Sequence, residues 1–280
     1  MLIAVCSLKG SPGATTLATA LGACWPTQRS PIVVEADPAG GDLMARFRLP
    51  DTPGLVSLAA AARGRGGADP NLLVQHSQPL PGGLRVVPGP VGAEQARAAL
   101  AVLASGGSSP LRRAADQPDI VVIADCGRVD PGSLALPIVR GADAMLLLAR
   151  PHDDELAHVA LKLQAAQQWS RRPCLVLVGD GYPTAEVSQT LQIPVMGRVP
   201  ADTKGAAMLS GQGTSRRGAD KSALGRAAAM IALNLHAHGH QPTTTDGSRP
   251  PHLRLAVVGE SVPGVPPQRV GPHIRNGATP

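Results

Sequence analysis

Short apolar runs recur along the chain, separated by stretches of helical spacing. Ile3–Ser7 (IAVCS), Ile32–Ala36 (IVVEA), Leu84–Val87 (LRVV), Ile120–Ala124 (IVVIA), Ala144–Ala149 (AMLLLA), Leu175–Val178 (LVLV) and Val195–Val199 (VMGRV) read as strands. Thr15–Cys24, Glu94–Leu103 and Leu156–Gln168 read as helices. The runs are continuous rather than alternating, which suits strands covered on both faces. Strands that alternate with helices predict an α/β fold, a doubly wound and mostly parallel sheet flanked by helices.

In such sheets ligands bind beyond the carboxyl ends of the strands. Unusual polar residues follow three of them: Lys9–Thr16 after the first, Asp37-Pro38-Ala39-Gly40 after the second, and Asp125-Cys126-Gly127 after IVVIA. His152-Asp153-Asp154-Glu155 follows the Ala144–Ala149 run and is expected to cap and charge the first turn of the next helix rather than to bind a metal. From about His236 the chain turns polar and rich in Pro, Gly and Thr. Residues 1–235 are therefore expected to form one domain and residues 236–280 a largely disordered tail. The histidines at 236, 238 and 240 have no accompanying Cys or carboxylate cluster and are read as coincidental.

Composition narrows the picture. The chain has 280 residues, 43% hydrophobic but only 1% aromatic, so Ala, Val and Leu must fill the core. A net charge of +6 permits attraction to phosphate-rich partners without demanding it, because the basic residues are scattered as pairs. The four cysteines form no CxxC spacing and are expected to be buried free thiols. No run approaches the ~20 apolar residues of a membrane span, and the first apolar stretch is too short for a signal peptide. A cytoplasmic protein without a membrane helix is expected.

The segment Leu8–Ala18 (LKGSPGATTLA) carries the chemistry. A phosphate cradle needs glycines for tight turns, inward-facing backbone N–H groups and a helix N-terminus behind them. Gly10 and Gly13 supply the turns, Ser11 sits between them, and Thr15 and Thr16 open the helix, with the Thr15 hydroxyl suited to Mg²⁺. Pro12 removes one N–H donor and stiffens the loop. Taken alone, the segment suits an ordinary Gly/Pro turn as well as a phosphate loop, because Ala14 and Leu8 both break the GxxxxGK[ST] pattern.

Lys9-Gly10-Ser11-Pro12-Gly13-Ala14-Thr15-Thr16 resembles the deviant Walker A loop, KGGxGKTT, of the ParA/MinD superfamily of P-loop ATPases. Glu35-Ala36-Asp37-Pro38-Ala39-Gly40 resembles its DxDPxG motif, Ile120–Asp125 its Walker B strand, and Gly141-Ala142-Asp143 the lead into a later strand. Ile193–Asp202 (IPVMGRVPAD) is similar to the segment whose loop lies near the adenine, and Gly213 falls at the small loop before the last helix. The resemblance covers roughly residues 1 to 235 and implies ATP and Mg²⁺ as cofactors and a homodimer closed across ATP. It implies that Lys9 reaches the partner subunit's phosphates and that Asp37 helps position the attacking water. It also implies that Thr15 and Asp125 hold the Mg²⁺ shell, and that Pro200 and Asp202 lie near the base. The GATT sequence and Asp37-Pro38-Ala39-Gly40-Gly41-Asp42-Leu43 are more similar to the CpaE/TadZ-like branch, here without its receiver-like domain, than to plasmid ParA.

Three departures qualify that likeness. Ala14 replaces the lysine that contacts the subunit's own β- and γ-phosphates, a loss of about 10²–10³ in rate. Gly179-Asp180 stands where many relatives carry an adenine-reading Asn, and Cys126-Gly127-Arg128 replaces the common Asp-x-Pro. A nucleotide-dependent positioning switch with weak hydrolysis is expected, working with an unidentified protein partner of a pilus or secretion-type assembly. The alternatives are a chromosome- or plasmid-partitioning ATPase that binds DNA non-specifically through Arg216, Arg217, Lys221 and Arg226, and a nucleotide-free pseudo-ATPase scaffold. Membrane cycling of the MinD kind is disfavoured because the tail has no Phe or Trp and is broken by prolines. An amidase of the same fold would need extra substrate loops, and none is evident.

Overall fold

The computed structural model describes residues 1–26, 29–64, 68–105, 109–211 and 219–238. Its strands are β1 (Leu2–Ser7), β2 (Ser30–Glu35), β3 (Gln78–Pro79), β4 (Arg85–Val87), β5 (Ile120–Arg128), β6 (Ala144–Ala149), β7 (Pro173–Val178) and β8 (Val195–Val199). They form one eight-stranded sheet in the order β3-β4-β2-β5-β1-β6-β7-β8. Every neighbouring pair is parallel except β3 with β4. The order places β1 near the centre, between β5 and β6, so the loop leaving β1 opens at the middle of the sheet's carboxyl edge.

The helices are α1 (Ala14–Ala23), α2 (Leu43–Phe47), α3 (Leu55–Arg63), α4 (Leu72–Gln75), α5 (Ala93–Ser105), α6 (Pro110–Ala115), α7 (Leu136–Gly141), α8 (Asp153–Gln167), α9 (Thr184–Leu191), α10 (Thr203–Leu209) and α11 (Ala223–His238). Strand residues alternate between two apolar layers, as the two-residue period of a strand requires. Leu2, Ala4, Cys6, Val122, Ala124 and Leu147 point into the layer filled from α3 to α9, for example by Leu58, Leu100 and Val159. Ile3, Val5, Val121, Ile123, Leu146 and Val176 point into the layer filled by Leu17 and Leu21 of α1 and by Leu224, Ile231 and Leu235 of α11. The two tryptophans are divided, Trp169 in the first layer and Trp25 in the second. All four cysteines are free and buried, as the sequence predicts.

Three sequence expectations are corrected. β5 continues past Ala124 to Arg128, so Asp125 lies inside the strand, opposite Val5 of β1 and Glu35 of β2, rather than after it. α8 starts at Asp153, so the acidic cluster itself forms the first turn, where carboxylates favour the positive end of the helix dipole. The short antiparallel edge strand β3 has no counterpart in the predicted elements. Among the described residues no helix is long and apolar enough to cross a membrane. Arg216, Arg217 and Gly213 lie outside the described residues, as does the tail beyond His238.

Candidate functional site

The loop between β1 and α1 turns twice through left-handed backbone, at Gly10 (φ 66°) and Gly13 (φ 98°). Both positions demand glycine, since a side chain at such φ is strained. Gly13 is the N-cap of α1, and no side chain caps the amides of the first turn. Those N–H groups face an open cleft, which is the arrangement that attracts an anion.

The cleft measures about 790 Å³ and lies over the ends of β1, β2 and β5. Gly10, Ser11, Gly13, Ala14, Thr15 and Thr16 line one side and Asp37-Pro38-Ala39 another. Asp125 is 1% exposed beneath it. Its carboxylate accepts hydrogen bonds from the Thr15 hydroxyl and from the Gly127 amide, the latter at 3.2 Å. Burial nevertheless pushes its pKa up to about 6. Burial also raises the pKa of Asp37; its own turn's Ala39 amide (2.8 Å) and the nearby Arg128 charge act in the opposite direction.

Two features of this floor escaped the sequence reading. Gly127, noted there only as a departure, has φ 57°, and a Cβ on it would meet Asp37 Oδ2 at 1.9 Å. A glycine two residues after a buried strand carboxylate is the available signal. Glu35 is 2% exposed, and its carboxylate accepts from the amides of Asp42 (2.8 Å), Leu43 (3.0 Å) and Gly89 (2.9 Å). Burial pushes its pKa up to about 7 against these three bonds. Gly41 is tight against it, since a Cβ there would lie 2.5 Å from Glu35 Oε2.

Pro200 and Asp202 line a separate apolar pocket of about 240 Å³, together with Pro12, Leu148, Val178 and Leu224. Gly13 and Thr16 border both spaces, so the pocket adjoins the larger cleft. The Asp202 side chain caps α10 through the Gly205 amide (2.8 Å) and accepts from the Leu224 amide (3.1 Å), which hold its pKa below the usual carboxylate range. These two bonds hold the starts of α10 and α11 together beside the pocket that Asp202 lines. Lys9 lines neither space: it is exposed, and its Nζ donates to His158 Nε2 of α8 at 2.7 Å.

A third opening, an apolar groove of about 510 Å³ between α3 and α5, includes Met44, Val56, Pro90 and Val91 in its walls. Among the described residues no cluster of three or more His, Cys, Asp or Glu could hold a metal ion. Lys221 and Arg226, the described part of the basic set near the last helix, are exposed, and Arg226 Nη1 donates to the Lys221 carbonyl.

No protein-family profile matches the chain, and no curated protein sequence matches it either. Solved structures do. A ParA family ATPase from Chlorobium tepidum superposes with a TM-score of 0.64 at 17% identity, over 83% of this chain and 98% of that one. The septum site-determining protein MinD from Pyrococcus horikoshii, solved with Mg-ADP, gives 0.66 at 16% over 86% and 97%. The fold is that of the MinD and ParA ATPases. Within this MinD/ParA fold, cobyrinic acid a,c-diamide synthase from Mycobacterium smegmatis, solved with an ATP analogue and magnesium, gives 0.57 at 20% identity over 86% and 95%.

Proposed function

We propose that this chain binds MgATP in the β1–α1 cleft and acts as a nucleotide-gated dimeric switch that positions a protein partner, with weak hydrolysis. The observation that carries the reading is the convergence of the Thr15 hydroxyl, the buried Asp125 and Asp37 beneath an uncapped helix N-terminus. A hydroxyl and two carboxylates are hard oxygen donors of the kind Mg²⁺ takes, directly or through water. The adjoining apolar pocket suits a flat heteroaromatic base, and it presents few polar side chains to read one.

Bound Mg²⁺ would neutralise phosphate charge at this site. The protein's own part is to hold the phosphates on the amides of the Gly10–Thr16 loop and to fix the metal shell through Thr15 and Asp125. Asp37 would accept a hydrogen bond from water at the cleft mouth. The fit is incomplete at one position: Ala14, 9% exposed, offers a methyl where a cation belongs. Binding without brisk turnover follows, and a switch needs no more than differential affinity for its two states. Lys9 lies outside the cleft on an exposed surface, which suits a role across a subunit interface. The CpaE/TadZ-like branch, and with it an assembly partner, remains our reading from the sequence motifs.

Calorimetric titration with MgATP and with MgADP, with phosphate release followed in parallel, tests the proposal. Binding with slow release supports it. Brisk release returns DNA partitioning as the better reading, and no binding makes the chain a scaffold.

A further inference from the structure

Replacing the phosphate-loop lysine by alanine leaves a charge problem that the surrounding residues can be asked to solve. The Ala14 side chain packs with the α1–α11 apolar layer. Most cations around the loop are already engaged. Lys9 donates to His158, Lys162 Nζ donates to the Leu8 carbonyl at 3.5 Å, Arg150 pairs with Glu155 at 3.2 Å, and Arg46 pairs with Asp42 at 2.5 Å.

Two cleft-lining arginines remain. Arg97 stands on α5 and Arg128 is the last residue of β5. Arg128 has the stronger position. It pairs in register with Ser7, the last residue of β1, at the point where the phosphate loop begins. It follows Asp125 by three residues on the same strand, and its charge acts on Asp37 across the cleft. Gly127 turns the backbone between the buried Asp125 and the exposed Arg128, and both Gly127 and Arg128 line the cleft.

We propose that Arg128 supplies from the end of β5 the terminal-phosphate contact that Ala14 cannot make. Its planar fork matches two phosphate oxygens at once, which a lysine cannot do. The Arg128 charge acts on Asp37, and a divalent cation drawn to that carboxylate would leave the guanidinium to the phosphate. The proposal rests on the MgATP reading above and specifies which residue senses the third phosphate.

The test compares MgATP and MgADP affinity in the full chain and in Arg128→Ala, Arg128→Lys and Arg46→Ala. Arg128→Ala is expected to weaken MgATP binding about tenfold or more while MgADP changes less than about threefold. Arg128→Lys should recover part of the loss, and Arg46→Ala should leave the ATP-to-ADP ratio unchanged. Equal losses for both nucleotides in Arg128→Ala, or an unchanged ratio in a protein that melts normally, overturns the proposal. If the unaltered chain binds neither nucleotide, the MgATP reading fails instead, and the two failures are told apart by that control.

Discussion

Asp37 and Gly127 occupy one another's space: the carboxylate from the loop after β2 lies on the bare α-carbon of a residue in β5. Gly127→Ala would insert a methyl 1.9 Å from Oδ2 at a φ of 57°. The substitution is expected to cost about 1–3 kcal/mol through backbone strain and displacement of Asp37. Chemical denaturation measures the first effect. The Mg²⁺ dependence of nucleotide binding measures the second, and it should weaken even under conditions where the variant is folded.

Thr15 and Asp125 form a second dependent pair. Thr15→Val removes the hydroxyl at nearly constant volume and deprives a buried carboxylate of a donor. A loss of about 1–3 kcal/mol is expected, largest above the pH at which Asp125 ionises. Thr15→Ser should keep stability and metal dependence together, whereas a purely steric role for the threonine would make Val the better replacement.

Glu35 ties stability to pH. Its folded pKa of about 7 lies above the ordinary 4.5, so the folded state holds the proton more tightly than the unfolded chain. Stability therefore falls as pH rises through that interval and levels off above it, by at most about 3 kcal/mol. Asp125 contributes a similar fall that ends at about 6. Between about pH 6 and 7 the Met1 amino group, pushed down by burial to about 6, and His76, also lowered by burial, act in the opposite sense, because their unfolded forms hold the proton more tightly. Glu35 is therefore read as a difference: in urea denaturation Glu35→Gln should gain stability with rising pH more steeply than the unaltered chain over this interval, while the fall below pH 6 persists.

Lys9 is exposed, and its Nζ donates to His158 of its own subunit at 2.7 Å. An exposed contact of this kind adds less than about 1 kcal/mol, so Lys9→Ala should melt like the unaltered protein. Light scattering in MgATP is expected to find it monomeric where the unaltered chain dimerises. Normal dimerisation of Lys9→Ala would remove the cross-subunit role.

Ala14 is the first residue of α1 and lines the cleft. Ala14→Lys adds a cation there, and phosphate release is expected to rise by about 10²–10³. No gain would mean that the weakness of the site lies beyond one missing charge.

Much of this arrangement was legible in the sequence because buried parallel strands write themselves as continuous apolar runs. Ala144–Ala149 and Val195–Val199 coincide with β6 and β8, and the polar residues after β1 and β2 fall where a strand-end site requires them. The pieces that were not legible depend on tertiary neighbours. The stretch after Asp125 reads as a loop, yet β2 pairs as far as Asp125 and β1 as far as Arg128. α2, α4, α6 and α7 are four to six residues long, too short for a 3.6-residue period to register. The grip of Glu35 on Gly89, 54 positions away, has no local signature.

That grip has a mechanical result. One oxygen of Glu35 clasps the chain at Asp42 and Leu43, the other clasps it at Gly89, and the Gly41 amide bonds the Pro90 carbonyl at 2.8 Å. The strip from Asp37 to Met44, which forms a wall of the cleft, is thereby riveted to Pro90 and Val91 in the wall of the α3–α5 groove. Sliding one strip past the other would shear several hydrogen bonds to a buried carboxylate, so the two walls travel together as a single stiff plate.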